Sequence, residues 1–248
     1  MLSALLLGMS ASAWTAAAPA WSLGGSLLDL PLGKASFFAA SMPAHTPTTA
    51  GSVILIADFG GHPGSPGVQA SLFQFLPQQG WAVLSIDPPD LVLAAAPSPG
   101  DWQQAASQLK VRTDAALQWL AAHQMHNTVL IAQGRAGVAL LLAYPGAWPD
   151  GVRGIALLAP PRMLAESNPL PATIARLTLP IDLVYAHADL PDSEACQACV
   201  DSAREHRIAL RRLFLPARDV QFSDVSITLG WALLDWMKAL AGVQIAHP

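Results

Sequence analysis

Residues 127–144, NTVLIAQGRAGVALLLAY, constrain this chain more than any other stretch. Residues 128–132 are β-branched and aliphatic, as a parallel strand buried on both faces must be, and residues 138–144 are apolar enough to pack on it as a helix. Only one tight turn separates the two. In the best register, Ala132-Gln133-Gly134-Arg135-Ala136, small residues take the outer positions, where neighbouring backbone crowds anything large, and Gly134 stands at the apex. Glycine accepts the positive φ of a sharp turn at no steric cost. A second register with Arg135 at the apex puts Gln133 where a small residue is needed and shortens the strand by one. A plain glycine-bearing strand-to-helix turn in a doubly wound sheet also accounts for the segment.

The rest of the chain alternates strands with helices around this turn. Residues 25–30 and 35–42 read as a hairpin at a sheet edge, joined through Pro31-Leu32-Gly33-Lys34. Residues 53–57 form a continuous apolar run, hence a central strand. It leads into the loop Asp58-Phe59-Gly60-Gly61-His62-Pro63-Gly64 and a helix over 68–79. Further strands are expected at 81–86, 152–158, 181–185 and 210–215. Helices are expected at 102–124, with Asp101 as N-cap, at 174–177, 193–206 and 223–240. Trp81, Trp119, Trp231 and Trp236 fall at positions that should face the core. Such alternation predicts an α/β protein with a mainly parallel sheet covered by helices on both faces.

Composition narrows the partners. Of 248 residues, 52% are hydrophobic and only 12% charged, with a net charge of -4 and no Lys/Arg cluster beyond residues 204–212. A large core with a charge-poor surface follows, and nucleic acid is not an expected partner. The loop over 60–67 has neither the G-x-G-x-x-G order of a dinucleotide site nor the Lys-Ser/Thr of a P-loop, so no cofactor is expected. The first twenty residues carry no charged side chain and hold Ala-x-Ala sites at Ala11-Ser12-Ala13 and Ala18-Pro19-Ala20. This is the pattern of a secretory leader without its basic start, too interrupted for a membrane span. The expectation is a leader over 1–20 and a single domain over 21–248, exported or periplasmic, with no stable membrane span once the leader is removed.

A strand entering a helix through a sharp apex resembles the nucleophile elbow of the α/β hydrolases, G-x-S-x-G, with the nucleophile missing. The order of elements resembles that fold from about residue 21 to 240. It implies a three-layer sandwich whose mainly parallel sheet begins with an antiparallel hairpin, without a large lid domain. The phrases GSVILIADFGGHPG, GWAVLSIDPP, IAQGRAG and LPIDLVYA are also similar to an uncharacterised family of exported proteobacterial α/β-hydrolase-like proteins, domain of unknown function 3530. That family's elbow typically lacks serine too, so the resemblance implies fold and export but no activity.

By the same resemblance Asp189, in HADLPD, stands at the acid position, and Gln221 stands at the histidine position in the loop after the last strand. Neither Gly134 nor Arg135 supplies a nucleophile, and Gln221 cannot exchange a proton near pH 7. The triad at Gly134, Asp189 and Gln221 is therefore expected to be degenerate. Gly60 and Gly61 match a glycine pair that supplies oxyanion amides in many hydrolases, with the Arg135 amide as second donor; a tight turn using glycine for its conformation explains them equally. Gln133, Arg135, Gly60, Gly61 and His62 are the expected binding residues, for a small molecule or protein partner of unspecified identity. Two other readings stay open. One is a hydrolase or esterase with relocated groups such as His62 or Asp189. The other is a thiol or metal protein using Cys196 and Cys199, with His187 and His206 as further ligand candidates, although a lone CxxC is a weak signal.

Overall fold

The computed structural model describes residues 24–94, 96–161, 169–186 and 197–245. The leader and the positions of His187, Asp189 and Cys196 lie outside the described residues. Eight strands form one sheet: β1 (Ser26–Leu32), β2 (Ala35–Met42), β3 (Gly51–Ile56), β4 (Trp81–Ile86), β5 (Thr128–Gln133), β6 (Val152–Leu158), β7 (Ile181–Ala186) and β8 (Leu210–Leu215). Six helices are described: α1 (Val68–Gln78), α2 (Pro99–Ala122), α3 (Gly134–Ala143), α4 (Leu170–Ile174), α5 (Gln197–Glu205) and α6 (Ser226–Ile245). The spatial order is β1-β2-β4-β3-β5-β6-β7-β8. β1 and β2 pair antiparallel, β2 pairs antiparallel with β4, and every later pairing is parallel. Among the described residues no connection carries a separate lid domain.

The two-residue period of a strand divides the central side chains between two cores. Ile54 and Ile56 of β3 and Leu130 and Ala132 of β5 face one layer, with Trp102, Leu109 and Leu120 of α2 and Leu140 and Leu141 of α3. Their alternates Val53, Leu55, Val129 and Ile131 face the other, with Leu72, Phe73 and Leu76 of α1 and Leu229, Leu233 and Met237 of α6. All six residues of β3 and of β5 are buried, as a strand covered on both faces requires.

Local chemistry moved several boundaries. Asp101 is not the N-cap of α2: Ser98 is, and its hydroxyl accepts from the Asp101 amide at 3.2 Å while Asp101 Oδ2 accepts from the Ser98 amide at 2.8 Å. This reciprocal box, with Pro99 as the first helical residue, starts the helix three residues early. The expected helix at 174–177 lies instead at Leu170–Ile174, and the closing helix begins at Ser226 rather than 223. Trp81 and Trp236 are in the core. Trp231 is 47% exposed, lying edge-on against Phe75 at 5.1 Å, and Trp119 is half-buried, stacked on His123.

Asp182 and Arg211 are direct cross-strand partners on β7 and β8. The fully buried carboxylate takes Arg211 Nε at 3.0 Å and Nη2 at 2.5 Å, and Nη2 also donates to the Ala232 carbonyl on α6. Burial pushes the Asp182 carboxyl above the usual aspartate range, and the bond and charge of Arg211 pull against that rise. Replacing Arg211 with Met should cost about 3 kcal/mol in urea unfolding near neutral pH, because it leaves a buried charge without its partner. With the native pKa raised further, the native state binds a proton before the unfolded state does. The deficit should therefore shrink as pH falls toward the ordinary aspartate value, and a deficit independent of pH would contradict this account.

Candidate functional site

Parallel pairing builds the site. Ile56 at the end of β3 sits beside Ala132 at the end of β5, so Asp58 and Gly134, two residues beyond each, emerge side by side at the same edge of the sheet. Gly134 is the first residue of α3 and adopts φ +57°, the apex conformation expected of it. Gly137, one turn on, allows the helix to approach β6: a Cβ there would lie 3.0 Å from Leu157 Cδ2.

The space that an apex side chain would fill is taken by the Asp58 carboxylate. A Cβ on Gly134 would overlap Asp58 Oδ2 and lie 2.5 Å from its Cγ. Asp58 Oδ1 accepts from the Phe59 amide at 2.9 Å and the Ala136 amide at 3.1 Å, and the Arg135 amide adds a third backbone bond. The first amides of a helix have no partner within the helix and favour an anion, so an internal carboxylate satisfies them here. Burial raises the Asp58 pKa above the ordinary value; the three backbone bonds, and then the Arg135 guanidinium, oppose the rise. Asp58 was missed in the sequence because it reads as the start of a glycine loop. The available signal was a carboxylate directly after the apolar run 53–57, where it needs a polar partner nearby.

Gln133, only 3% exposed, ties the elbow to the loop after β8. Its Nε2 donates to the Val220 carbonyl at 3.1 Å and to Gln221 Oε1 at 3.0 Å. Buried Gln69 of α1 donates to the Ile56 carbonyl at 3.2 Å and to Gln133 Oε1 at 3.4 Å. Phe222, fully buried at φ +53°, anchors that loop, and the Gln221 carbonyl accepts from the Val68 amide at 3.0 Å. Asp58, Gln133 and Gln221 line one cleft of about 360 Å³ with Gly60, Gly61, Ser65 and Ser223.

The other expected binding residues make contacts of their own. The Gly61 amide donates to the Asp58 carbonyl at 2.8 Å, closing a turn in which Gly60 has φ +83°, so the glycine pair serves the turn's conformation. A Cβ on Gly61 would lie 2.9 Å from both Ala57 Cβ and that carbonyl. His62 Nδ1 accepts from the Gly64 amide at 3.1 Å, and its ring is not part of the cleft wall. Arg135 sends its Nη1 away to the Leu93 and Ala94 carbonyls, at 2.9 Å each, and pins the connection that follows β4. Of the cysteines, Cys199 is buried in α5, and His206 Nδ1 lies 2.9 Å from the Ser202 carbonyl. Among the described residues no group of three or more His, Cys, Asp or Glu stands close enough to hold a metal ion. No helix among them is long and apolar enough to cross a membrane.

Two neighbours competing for one space should show it energetically. Gly134→Ala is expected to lose about 2 kcal/mol or more, from the positive φ together with the overlap with Asp58. Combining it with Asp58→Gly should recover part of that loss, giving a coupling of at least about 1 kcal/mol in a double-mutant cycle. Additive losses would show that the carboxylate does not occupy the apex space.

Comparison with known proteins agrees with this architecture. Residues 28–108 match the model of a family described as a protein of unknown function, DUF3530. A comparison with curated protein sequences finds no match. Among solved structures, a dienelactone hydrolase from Anabaena variabilis superposes with a TM-score of 0.66 at 16% identity, covering 87% of this chain and 97% of that one. Est1E from Butyrivibrio proteoclasticus gives 0.65 at 12% identity, covering 88% and 99%. A putative alpha/beta hydrolase of unknown function from Agrobacterium tumefaciens gives 0.61 at 13%, covering 86% and 95%. At such identities the likeness is one of fold, and with the sheet order and the elbow already described it makes this chain an α/β-hydrolase-fold protein whose residues 28–108 match the family DUF3530.

Proposed function

We propose that the protein is an exported, non-catalytic member of this fold that binds a ligand or partner at the cleft beside Gly134. One observation carries the reading: the apex of the elbow is a glycine, and the volume of the absent nucleophile is filled by a carboxylate from a neighbouring strand. That carboxylate also takes the Phe59 and Ala136 amides, the second of which lies at the helix end that would otherwise stabilise a developing oxyanion. Gln221 stands beside Gln133 at the cleft and has no proton to shuttle. Nucleophile, base and a vacant anion site are together what acyl transfer through a covalent intermediate requires.

Loss of nucleophile and base from a serine triad removes on the order of 10⁶ in rate. Serine-directed fluorophosphonate probes should therefore leave the purified protein unlabelled, and generic esters should turn over no faster than with a folded control protein. Stoichiometric labelling of the wild type would overturn the reading. Gly134→Ser alone is not an adequate restoration, because its Cβ meets Asp58. The restoring variant is Asp58→Gly with Gly134→Ser and Gln221→His, in which labelling would place the three positions at one site.

Export rests on the uncharged apolar start and its Ala-x-Ala sites. Cell fractionation with N-terminal sequencing should find the mature chain outside the cytoplasm, beginning near Trp21. Intact Met1 recovered from the cytosol would contradict it.

A further inference from the structure

We propose that the cleft beside Gly134 is a receptor for a small ammonium-bearing ligand, whose N–H donors meet the Asp58 carboxylate where the apex side chain would stand. The inference rests on the non-catalytic reading of this site and specifies what the site takes. In a hydrolase of this fold the helix amides at the elbow face an empty position and draw in negative charge. Here Asp58 Oδ1 holds the Phe59 and Ala136 amides, so that preference is already satisfied from within the chain. The cleft wall thereby changes sign. Among the described residues Asp58 is the one ionisable residue that lines it, and the remaining polar side chains there are those of Ser65, Gln133, Gln221 and Ser223, all neutral. The cation nearest the elbow in sequence, Arg135, has its guanidinium bound to the Leu93 and Ala94 carbonyls and is absent from the wall.

Among the described residues acceptors therefore line the cleft with no cation in its wall, although the Arg135 guanidinium still acts on Asp58 through space. Gln221 Oε1 is held in place by the Gln133 amide at 3.0 Å and retains a second lone pair. A carboxylate partly withdrawn from water interacts more strongly with a cation than a solvated one does, and a charge-assisted bond exceeds a neutral one. An anion entering the same space would meet like charge and find the helix amides occupied. At about 360 Å³ the cleft suits a small molecule or the terminus of a larger one.

Three two-carbon probes of nearly equal size separate charge from shape: ethanolamine, ethylene glycol and glycolate. Each is titrated into the wild-type protein while the backbone amide resonances of Phe59, Arg135 and Ala136 are followed. Ethanolamine is expected to shift them saturably in the millimolar range, at least about tenfold more tightly than ethylene glycol, with no saturable response to glycolate. In Asp58→Asn, checked for native circular dichroism, the ethanolamine affinity should fall at least about tenfold. The wild-type series stands alone if that variant does not fold. Glycolate binding as tightly as ethanolamine, equal affinity for ethanolamine and ethylene glycol, or no saturable ethanolamine response at these three amides would each overturn the proposal. Fluorophosphonate labelling would instead remove the non-catalytic reading on which it rests, so the two failures are distinguishable.

Discussion

Three backbone bonds to one carboxylate organise the functional end of this molecule. The turn into α3 leaves amides that no helical carbonyl can reach, and each such amide costs on the order of 1–3 kcal/mol if it is buried without a partner. Asp58, two residues beyond the end of β3, answers that requirement for Arg135 and Ala136 and also accepts from the Phe59 amide beside it. The arrangement depends on the glycine at 134 as much as on the aspartate, because any Cβ at the apex would displace the carboxylate. The missing side chain at 134 and the acid at 58 are thus two halves of one structural solution. No void stands at the apex, since the Asp58 carboxylate occupies the space that a side chain there would fill.

The same end of the sheet is also braced by carboxamides. Gln69, Gln133 and Gln221 link the end of β3, the elbow and the loop after β8 through side-chain bonds of 3.0 to 3.4 Å. A carboxamide can donate and accept at once, as Gln133 does here, so it links buried groups without the desolvation cost that charges carry. An imidazole at position 221 would be able to titrate, whereas the glutamine there keeps one hydrogen-bonding pattern at every physiological pH. Gln221 therefore serves the scaffold while it lines the cleft. Charge is used differently at the other side of the sheet, where Asp182 and Arg211 cross-link the last two strands to α6.

Much of the architecture is written in local chemistry. Continuous apolar runs marked β3 and β5 as buried on both faces, and alternation of strands with helices implied the parallel sheet. Gly134 was identifiable as the apex because a sharp strand-to-helix turn needs positive φ there and small residues around it. The start of α2 was less legible. Asp101 and Ser98 both have the chemistry of a cap, and only the reciprocal bonds between them decide which is outside the helix. Trp231 followed the apolar pattern of α6, yet it is left half in solvent because the neighbouring helix α1 offers only the edge of Phe75.

What the sequence determined by itself is therefore the fold class, the elbow and the absence of a hydroxyl or thiol at its apex, since each depends on residues adjacent in the chain. What only the tertiary structure decided is who occupies the apex. Asp58 and Gly134 are brought together by the register in which Ile56 pairs with Ala132. Gln133 and Gln221 meet because Phe222 and the Val68 amide fix a loop on the far side of the chain. Spacing along the sequence carries no record of strand register. That register is set by the packing of whole faces of the sheet against two layers of helices, a condition that no local stretch contains.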